Sequence, residues 1–593
     1  MTAGVDLPGG ESVRGGPADL HRPTGRARVP ASPCTKLHPS EMRTGRRFGV
    51  APARLLLLAA TIGIALLLSV PPLSSSAAGS PAVPRAVHPS ASLPLSAVVP
   101  AVSTSGTPVN FSLSGPAAPL PSDFFGSTVT VDSGIVTNES DFIRATPARL
   151  LVWPGGGFGD RYDPIAGLMH GHLTLPGPAP SNETAFIALC RSVGCHAIFQ
   201  VPGEINSSAF AAELVTYTEQ TLGFHPEYWE IGNEPALWHH FGLPWASWNR
   251  TQLPAPTPQA YAEEVLAYGQ AMRAVDPAIR IIGLPGVGLG GKVESSWMTA
   301  VASLDGPWIA GLAIHTYPAG IGPRNASLPG FLATLNGTNS LTSRIPVDRA
   351  AMNASCGRCS TLPLFVTELG SAVLSGTYTP YVEGFPDAVF LGAEVVQALE
   401  LNVSNIDTFA VRFTNPGSWE NATSDVRPSY TLFSGLLSRL HGTMQSLQPS
   451  GGVGGVYAME ATQSGTSGGT DLFVVNANSS TAIQIAPGSI PGYPAGTAES
   501  WAWNGTTSEP VASYWPSGLP VAWSVPAVGL LLIESRSAPS VPVTVTETGL
   551  APGARWFVSV ADELETSGTP EMTFFLPAGG YPVVASPAKG LPG

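Results

Sequence analysis

At 593 residues the chain exceeds one ordinary domain, and 12% charged residues beside 66 Gly and 59 Pro describe a loop-rich globular protein, not a disordered one. The formal charge is −13, but residues 1–54 carry nine Lys/Arg against four Asp/Glu. Downstream lie 19 of the 28 basic and 37 of the 41 acidic residues, a balance near −18 that argues against a nucleic-acid partner.

Residues 1–41 are polar, rich in Pro and Gly and without periodicity, which predicts a disordered leader. From Met42 the pattern changes. Arg43, Arg46, Arg47 and Arg54 precede an apolar run, Leu55 to Val70, and Ser76-Ala77-Ala78 follows as a small-residue exit. Residues 42–78 therefore read as a signal peptide or a retained N-terminal anchor, the run being somewhat short of the ~20 residues of a spanning helix. A translation start at Met42 gives a signal of ordinary length. The expected location is extracellular or at the cell surface, with membrane contact only through this segment if it is uncleaved. Residues 79–107 form a Ser/Pro/Ala linker.

Export agrees with the cysteines. Cys34 lies in the leader, which leaves two close pairs, Cys190–Cys195 and Cys356–Cys359, expected as local disulfides in an oxidising compartment. For the second pair a redox Cys-x-x-Cys or a zinc site is the alternative; the first lacks its βα context and the second its partner Cys-x-x-Cys.

A rhythm then begins. Apolar strands over 124–131, 149–153, 196–201, 227–231, 279–284, 309–315, 363–367 and 406–412 alternate with helical patterns over 137–146, 181–192, 207–221, 258–275, 296–304, 326–352, 386–401 and 429–440. Strands buried on both faces read as continuous apolar runs, and eight such units predict a closed (β/α)8 TIM barrel over 108–444. After 445 the helical period disappears. Short strands such as Asp471–Asn476 and Gly529–Ile533 between Gly/Ser/Pro turns predict an all-β sandwich over 445–537, which Val109–Leu113 extends by a strand. A further short, partial β-module occupies 538–593, around Val543–Val545 and Trp556–Val560.

Functional groups of such a barrel come from the C-terminal strand ends. Tyr228-Trp229-Glu230-Ile231-Gly232-Asn233-Glu234-Pro235 closes the fourth strand and Leu364-Phe365-Val366-Thr367-Glu368-Leu369-Gly370 the seventh, on opposite sides of the mouth. Two carboxylates so placed suit hydrolysis of a glycosidic bond, and a separation of ~5 Å would make Glu368 the nucleophile and Glu234 the acid/base. Any single strand-end Glu is more often a solvated loop residue; the pairing is what carries the reading. Glu230 shares the parity of Glu234 but lies deeper, in a supporting position.

Asn-Glu-Pro ending strand four and Thr367-Glu368 ending strand seven resemble the acid/base and nucleophile signatures of clan A glycoside hydrolases. Trp229–Pro235 with the C-terminal β-module is most similar to the heparanase and β-glucuronidase group, glycoside hydrolase family 79, over about 110–535. The resemblance implies a retaining β-glycosidase, without cofactor, acting on a carbohydrate partner. It further implies that Tyr317, in Ala313-Ile314-His315-Thr316-Tyr317-Pro318, hydrogen-bonds the nucleophile, that His315 lines the sugar site, and that Asn233 binds the 2-hydroxyl. Trp153 with the following glycines, and Asp160 and Tyr162 in the loop after strand two, resemble the substrate loop of the clan. One departure stands out. Val152 occupies the position where many members carry an Arg beside the nucleophile; Arg149 has the wrong parity, and Arg161 or Arg412 are the substitutes.

Glu204, ending strand three, is a further substrate candidate. Trp238 and Trp419, after strands four and eight, stack on sugar or pack in the core with equal claim. His170-Gly171-His172 and His239-His240 lack a nearby third ligand, so no metal is expected. The low charge density suits an acidic habitat. The competing function is a non-catalytic cell-surface carbohydrate-binding or structural protein on the same barrel.

Overall fold

In a computed structural model, eight parallel strands close into a barrel in sequential order: β1 (Phe125–Thr128), β2 (Leu150–Trp153), β3 (His196–Val201), β4 (Tyr228–Ile231), β5 (Ile281–Gly283), β6 (Gly311–Thr316), β7 (Leu364–Leu369) and β8 (Asn405–Thr408). The structure describes residues 106–131, 140–169, 182–203, 207–237, 256–283, 292–320, 327–372, 381–412, 418–420, 425–463, 469–491, 493, 497–515, 519–536, 540–550, 554–560, 563–577 and 580–587. The leader, the export segment and nearly all of the linker lie outside them. No helix among the described residues is long and apolar enough to cross a membrane.

Period-2 alternation sorts each strand. Leu150, Val152, Ile198, Tyr228, Ile282, Ala313 and Phe365 fill the barrel interior. Their neighbours Leu151, Trp153, Phe199, Trp229, Ile231, Ile281, Leu312, Ile314 and Val366 belong to the larger cluster shared with the helices. Each such aliphatic side chain contributes about 1.5–3 kcal/mol on burial, which is why the strands read as unbroken apolar runs.

The connecting helices carry local signals that explain their limits. Pro258–Val275 starts where Thr257 accepts from the N–H of Ala260 and Pro258 supplies a preset φ; Tyr261, Ala262, Val265, Tyr268 and Met272 form its buried stripe. The helix expected over 207–221 is α-helical only for Ser208–Val215 and widens into a π-helical turn, Thr216–Thr221. Thr216, Thr218 and Thr221 are β-branched and poor helix formers, and Thr216 bonds back to the carbonyl of Ala212. The region 326–352 forms two α-helices, Leu328–Ala333 and Leu341–Ser355. Strand eight stops at Thr408, four residues before its expected end.

The β-sandwich follows. A seven-stranded antiparallel sheet runs in the order 511–515, 497–503, 529–536, 470–476, 456–462, 443–450, 110–119, so the segment before the barrel does join it. Opposite lies a three-stranded sheet of Thr107–Pro108, Ile483–Ile485 and Trp523–Val525. The helix Phe385–Glu400, buried from Asp387 to Ala398, ties barrel to sandwich. At Gly392 a Cβ would meet Leu530, Val475 and Phe473 at 3.3–3.4 Å, so glycine sets the closeness of that contact. The C-terminal strands form two small sheets around Trp556, Val558, Val560, Met572, Phe574 and Leu576. They dock through Phe557, an Arg439–Glu565 ion pair and Arg555 over the ring of Tyr430 at 5.2 Å. Both expected disulfides, Cys190–Cys195 and Cys356–Cys359, are closed.

Candidate functional site

The interior of the barrel turns polar toward the C-terminal strand ends. Alternation carries Gln200, Glu230, His315 and Thr367 inward one step above Ile198, Tyr228, Ala313 and Phe365. On β7 the alternation then breaks. Ile314 pairs with Val366, but His315 pairs with Glu368, so Thr367 is the extra residue of a β-bulge. The bulge turns two successive side chains, Thr367 and Glu368, into the barrel.

Glu234 arrives differently. Gly232 (φ 72°) donates its N–H to Val201 O at 2.8 Å and turns the chain off β4, and Glu234 itself sits at φ 44°. That left-handed conformation is uncommon for any residue other than glycine, and strain of this kind concentrates at functional sites. Tyr261 Oη, donating to Ile231 O at 2.6 Å, and Asp160 hold the turn.

The two carboxylates meet over His315. Its Nδ1 lies 3.0 Å from Glu234 Oε1 and 3.3 Å from Glu368 Oε2, and a carboxylate oxygen of each Glu lies within 4.8 Å of the other. Tyr317 Oη donates to Glu368 Oε2 at 2.7 Å. Glu368, Tyr317 and His315 are buried, while Glu234 keeps partial exposure.

Burial above all, with Glu234 and Glu230, raises Glu368 to about 7 against the lowering pull of His315 and Tyr317. Burial depresses the His315 imidazolium, yet Glu368, Glu234 and Glu230 together outweigh it and push the group up to about 9. The Tyr317 phenol rises well above its ordinary value through burial and the neighbouring carboxylates, so it stays a donor. The cation that lowers Glu368 is thus a histidine on β6. Of the expected arginine substitutes, Arg161 is buried and Arg412 pairs with Glu420 at 2.6 Å, while Arg149, of the wrong parity, bonds to the carbonyls of Thr146 and Ala148.

Other expected site residues sit elsewhere. Trp153 and Tyr162 are wholly buried, packed edge to face with Trp153 stacked on Phe186; Trp153 follows Leu151 on the outward parity of β2. Trp419 is equally buried among Phe142, Tyr430 and Phe433. These three rings present no face to a sugar. Asp160 is also buried, and its two oxygens accept from the N–H groups of Gly203 and Asn233, both at 3.2 Å, clamping the ends of β3 and β4 together. Asn233 is buried beside Glu234. Glu204, Trp238 and the His170–His172 and His239–His240 pairs lie outside the described residues.

One residue was not anticipated, and one glycine of the expected substrate loop takes a specific place. Phe409, leaving β8, clusters with Tyr317 and Ala410 beside Glu368. At Gly156 (φ 63°) a Cβ would stand 3.0 Å from the Phe409 ring and 3.7 Å from Glu368 Oε1, so this glycine keeps the approach to Oε1 open. The double glycine after β2 was legible as part of the substrate loop; for Phe409 the expected strand end at 412 hid its place at the rim.

Among the described residues two groups of metal-type donors converge: Glu234–His315–Glu368, and Glu219–His225–Asp276 at the N-terminal strand ends. In the first, His315 Nδ1 lies between the two carboxylates, within 3.3 Å of an oxygen of each.

No protein-family model matches the sequence, and no curated protein matches it in sequence. Solved structures do match the fold. A family 51 α-L-arabinofuranosidase from Bifidobacterium longum superposes with a TM-score of 0.57 at 15% identity, covering 72% of this chain and 99% of that one. A Thermotoga maritima α-L-arabinofuranosidase, solved with arabinose, gives 0.57 at 14% over 72% and 100%. A family 44 xyloglucanase from Paenibacillus polymyxa gives 0.54 at 10% over 72% and 99%. The chain therefore has the barrel-plus-β-sandwich fold found in glycoside hydrolases.

Proposed function

We propose that the protein is a retaining glycoside hydrolase acting on β-glycosidic bonds, with Glu368 as nucleophile and Glu234 as acid/base. The observation that carries this reading is the pair itself: two strand-end carboxylates with oxygens within 4.8 Å, one of them held by a tyrosine. Such a separation suits the ~5 Å spacing of retaining enzymes and falls short of the ~6.5–9.5 Å of inverting ones.

Tyr317 occupies Glu368 Oε2, which leaves Oε1, on the open side above Gly156, to attack the anomeric carbon. As that C–O bond forms, the glycosidic C–O bond breaks and the Glu234 proton passes to the leaving oxygen. In the second step Glu234 takes a proton from water, the water oxygen bonds to the anomeric carbon, and Glu368 leaves as carboxylate. His315 donates to Glu234 Oε1 and so stabilises the charge that appears there once the proton has gone. Asn233, next to the acid/base, is assigned the 2-hydroxyl of the sugar.

The Trp229–Pro235 signature favours a β-glucuronide-type substrate. A panel of aryl β-glucuronide, β-glucoside, β-xyloside and α-L-arabinofuranoside tests both class and sugar: turnover of the glucuronide supports the reading in full, another β-glycoside corrects the sugar alone, and no turnover of any favours the carbohydrate-binding alternative. The catalytic machinery is assigned to residues 108–444. Export is proposed from the 42–78 pattern and the two disulfides, and N-terminal sequencing of protein recovered outside cells tests it.

A further inference from the structure

We infer that Glu230 is a positioning residue for the reaction proposed above: through Thr367 it holds the β7 bulge that aims Glu368, and its charge supports the protonated His315. The inference rests on that functional reading, and its first observation is a hydrogen bond across the barrel. Thr367 Oγ1, the extra residue of the bulge, donates to Glu230 Oε1 at 2.9 Å. Thr128 Oγ1 on β1 bonds the Thr367 carbonyl at 3.3 Å, so the bulge is gripped from β1 and from β4. Releasing Thr367 frees the strand to return to plain alternation, which would turn Glu368 toward the outer face.

The second observation is cost. Glu230 is 2% exposed in a barrel whose lower interior is aliphatic and aromatic. Burying a carboxyl there is expensive, and an apolar residue would serve stability better. Its surroundings explain its presence. His315 on β6, Glu368 on β7 and Asp407 on β8 interact with it electrostatically, while neutral Gln200 is its register neighbour on β3 and Glu234 lies beyond the end of its own strand. Asp407 packs over Gly126, accepts from Asn405 at 3.1 Å and is driven strongly toward its neutral form by burial. Glu230 itself is raised to about 7 by burial, opposed by His315 and Thr367. An anionic Glu230 therefore favours the imidazolium that bridges the two site carboxylates.

The test separates aim from charge with two substitutions and two readouts. Glu230→Gln keeps an oxygen for the Thr367 hydroxyl but removes the charge; Thr367→Val removes the hydroxyl and keeps the charge. The His315 titration is followed by NMR with labelled histidine, assigned through His315→Asn, alongside the pH profile of kcat on the best aryl glycoside. Glu230→Gln should move the His315 titration down by about 0.5–1 pH unit, with the alkaline limb of kcat following it. Thr367→Val should leave that titration in place and lower kcat about tenfold, with KM within about twofold and recovery in Thr367→Ser. An unmoved His315 titration in Glu230→Gln, or a wild-type kcat in Thr367→Val, overturns the inference. If Glu230→Gln does not fold, Thr367→Val and Thr367→Ser decide the positioning claim. If no glycoside is hydrolysed, the functional reading fails, while the NMR titration still decides the link between Glu230 and His315.

Discussion

The hydroxyl of Tyr317 donates to Glu368 Oε2 at 2.7 Å, and both groups are buried at the rim of the barrel. This bond lowers the Glu368 carboxyl against the rise that burial imposes and fixes which oxygen is free to react. Tyr317→Phe should therefore reduce kcat by about 10–100-fold, and the acid limb of kcat/KM should move to higher pH. An unchanged acid limb would show that the bond does not tune Glu368.

The pH dependence follows from the same shifts. Glu368 must be ionised to attack, and burial raises it to about 7, so activity should be lost as pH falls through neutrality, not near the usual carboxylate range. His315, raised to about 9, should set an alkaline limit. The expected optimum lies between these values, contrary to the acidic habitat that composition suggested. A kcat/KM profile from pH 4 to 10 checks it; an optimum near pH 4 would contradict the electrostatics described.

Gly156 provides a steric test. A methyl group there meets the Phe409 ring at 3.0 Å in a backbone conformation, φ 63°, that disfavours a side chain, and it crowds Oε1 of Glu368. Gly156→Ala should cost about 1–2 kcal/mol of stability, seen as a modest fall in Tm, and lower kcat/KM by at least about tenfold.

Glu394 gives a stability prediction away from the site. It is fully buried in the helix between barrel and sandwich; among the described residues neither of its oxygens has a hydrogen-bond partner, and burial with Asp387 nearby raises its pKa strongly. The folded state thus holds a proton that the unfolded chain releases near its ordinary carboxyl pKa. Stability from this group is present below the unfolded pKa and falls as pH rises from there. Glu394→Gln should be nearly neutral at pH 4 and stabilising by about 1–3 kcal/mol at pH 8, read as a gap in Tm that widens with pH.

The barrel was legible because parallel strands buried on both faces produce unbroken apolar runs, and the strand count then paired Glu234 with Glu368 across the mouth. Aromatic residues at strand ends were less informative. Trp153 follows the outward parity of Leu151 and packs on Phe186, and Trp419 fills a core beneath the helices. Asp160 looks in sequence like a loop acid but satisfies two backbone N–H groups between β3 and β4. The β7 bulge has no sequence signature. Plain alternation along Phe365-Val366-Thr367 would send Glu368 outward, and the register with β6 reveals the shift.

The roles of Glu368 and Glu234 are tested most directly with Glu368→Gly on an activated β-glycoside in the presence of azide. Hydrolysis should fall by at least about 10⁴-fold, and azide should restore turnover with a glycosyl azide of inverted configuration, because the anion fills the space of the missing carboxylate on the face opposite the leaving group. A wild-type rate in the absence of azide would remove Glu368 from the nucleophile's role and contradict the account.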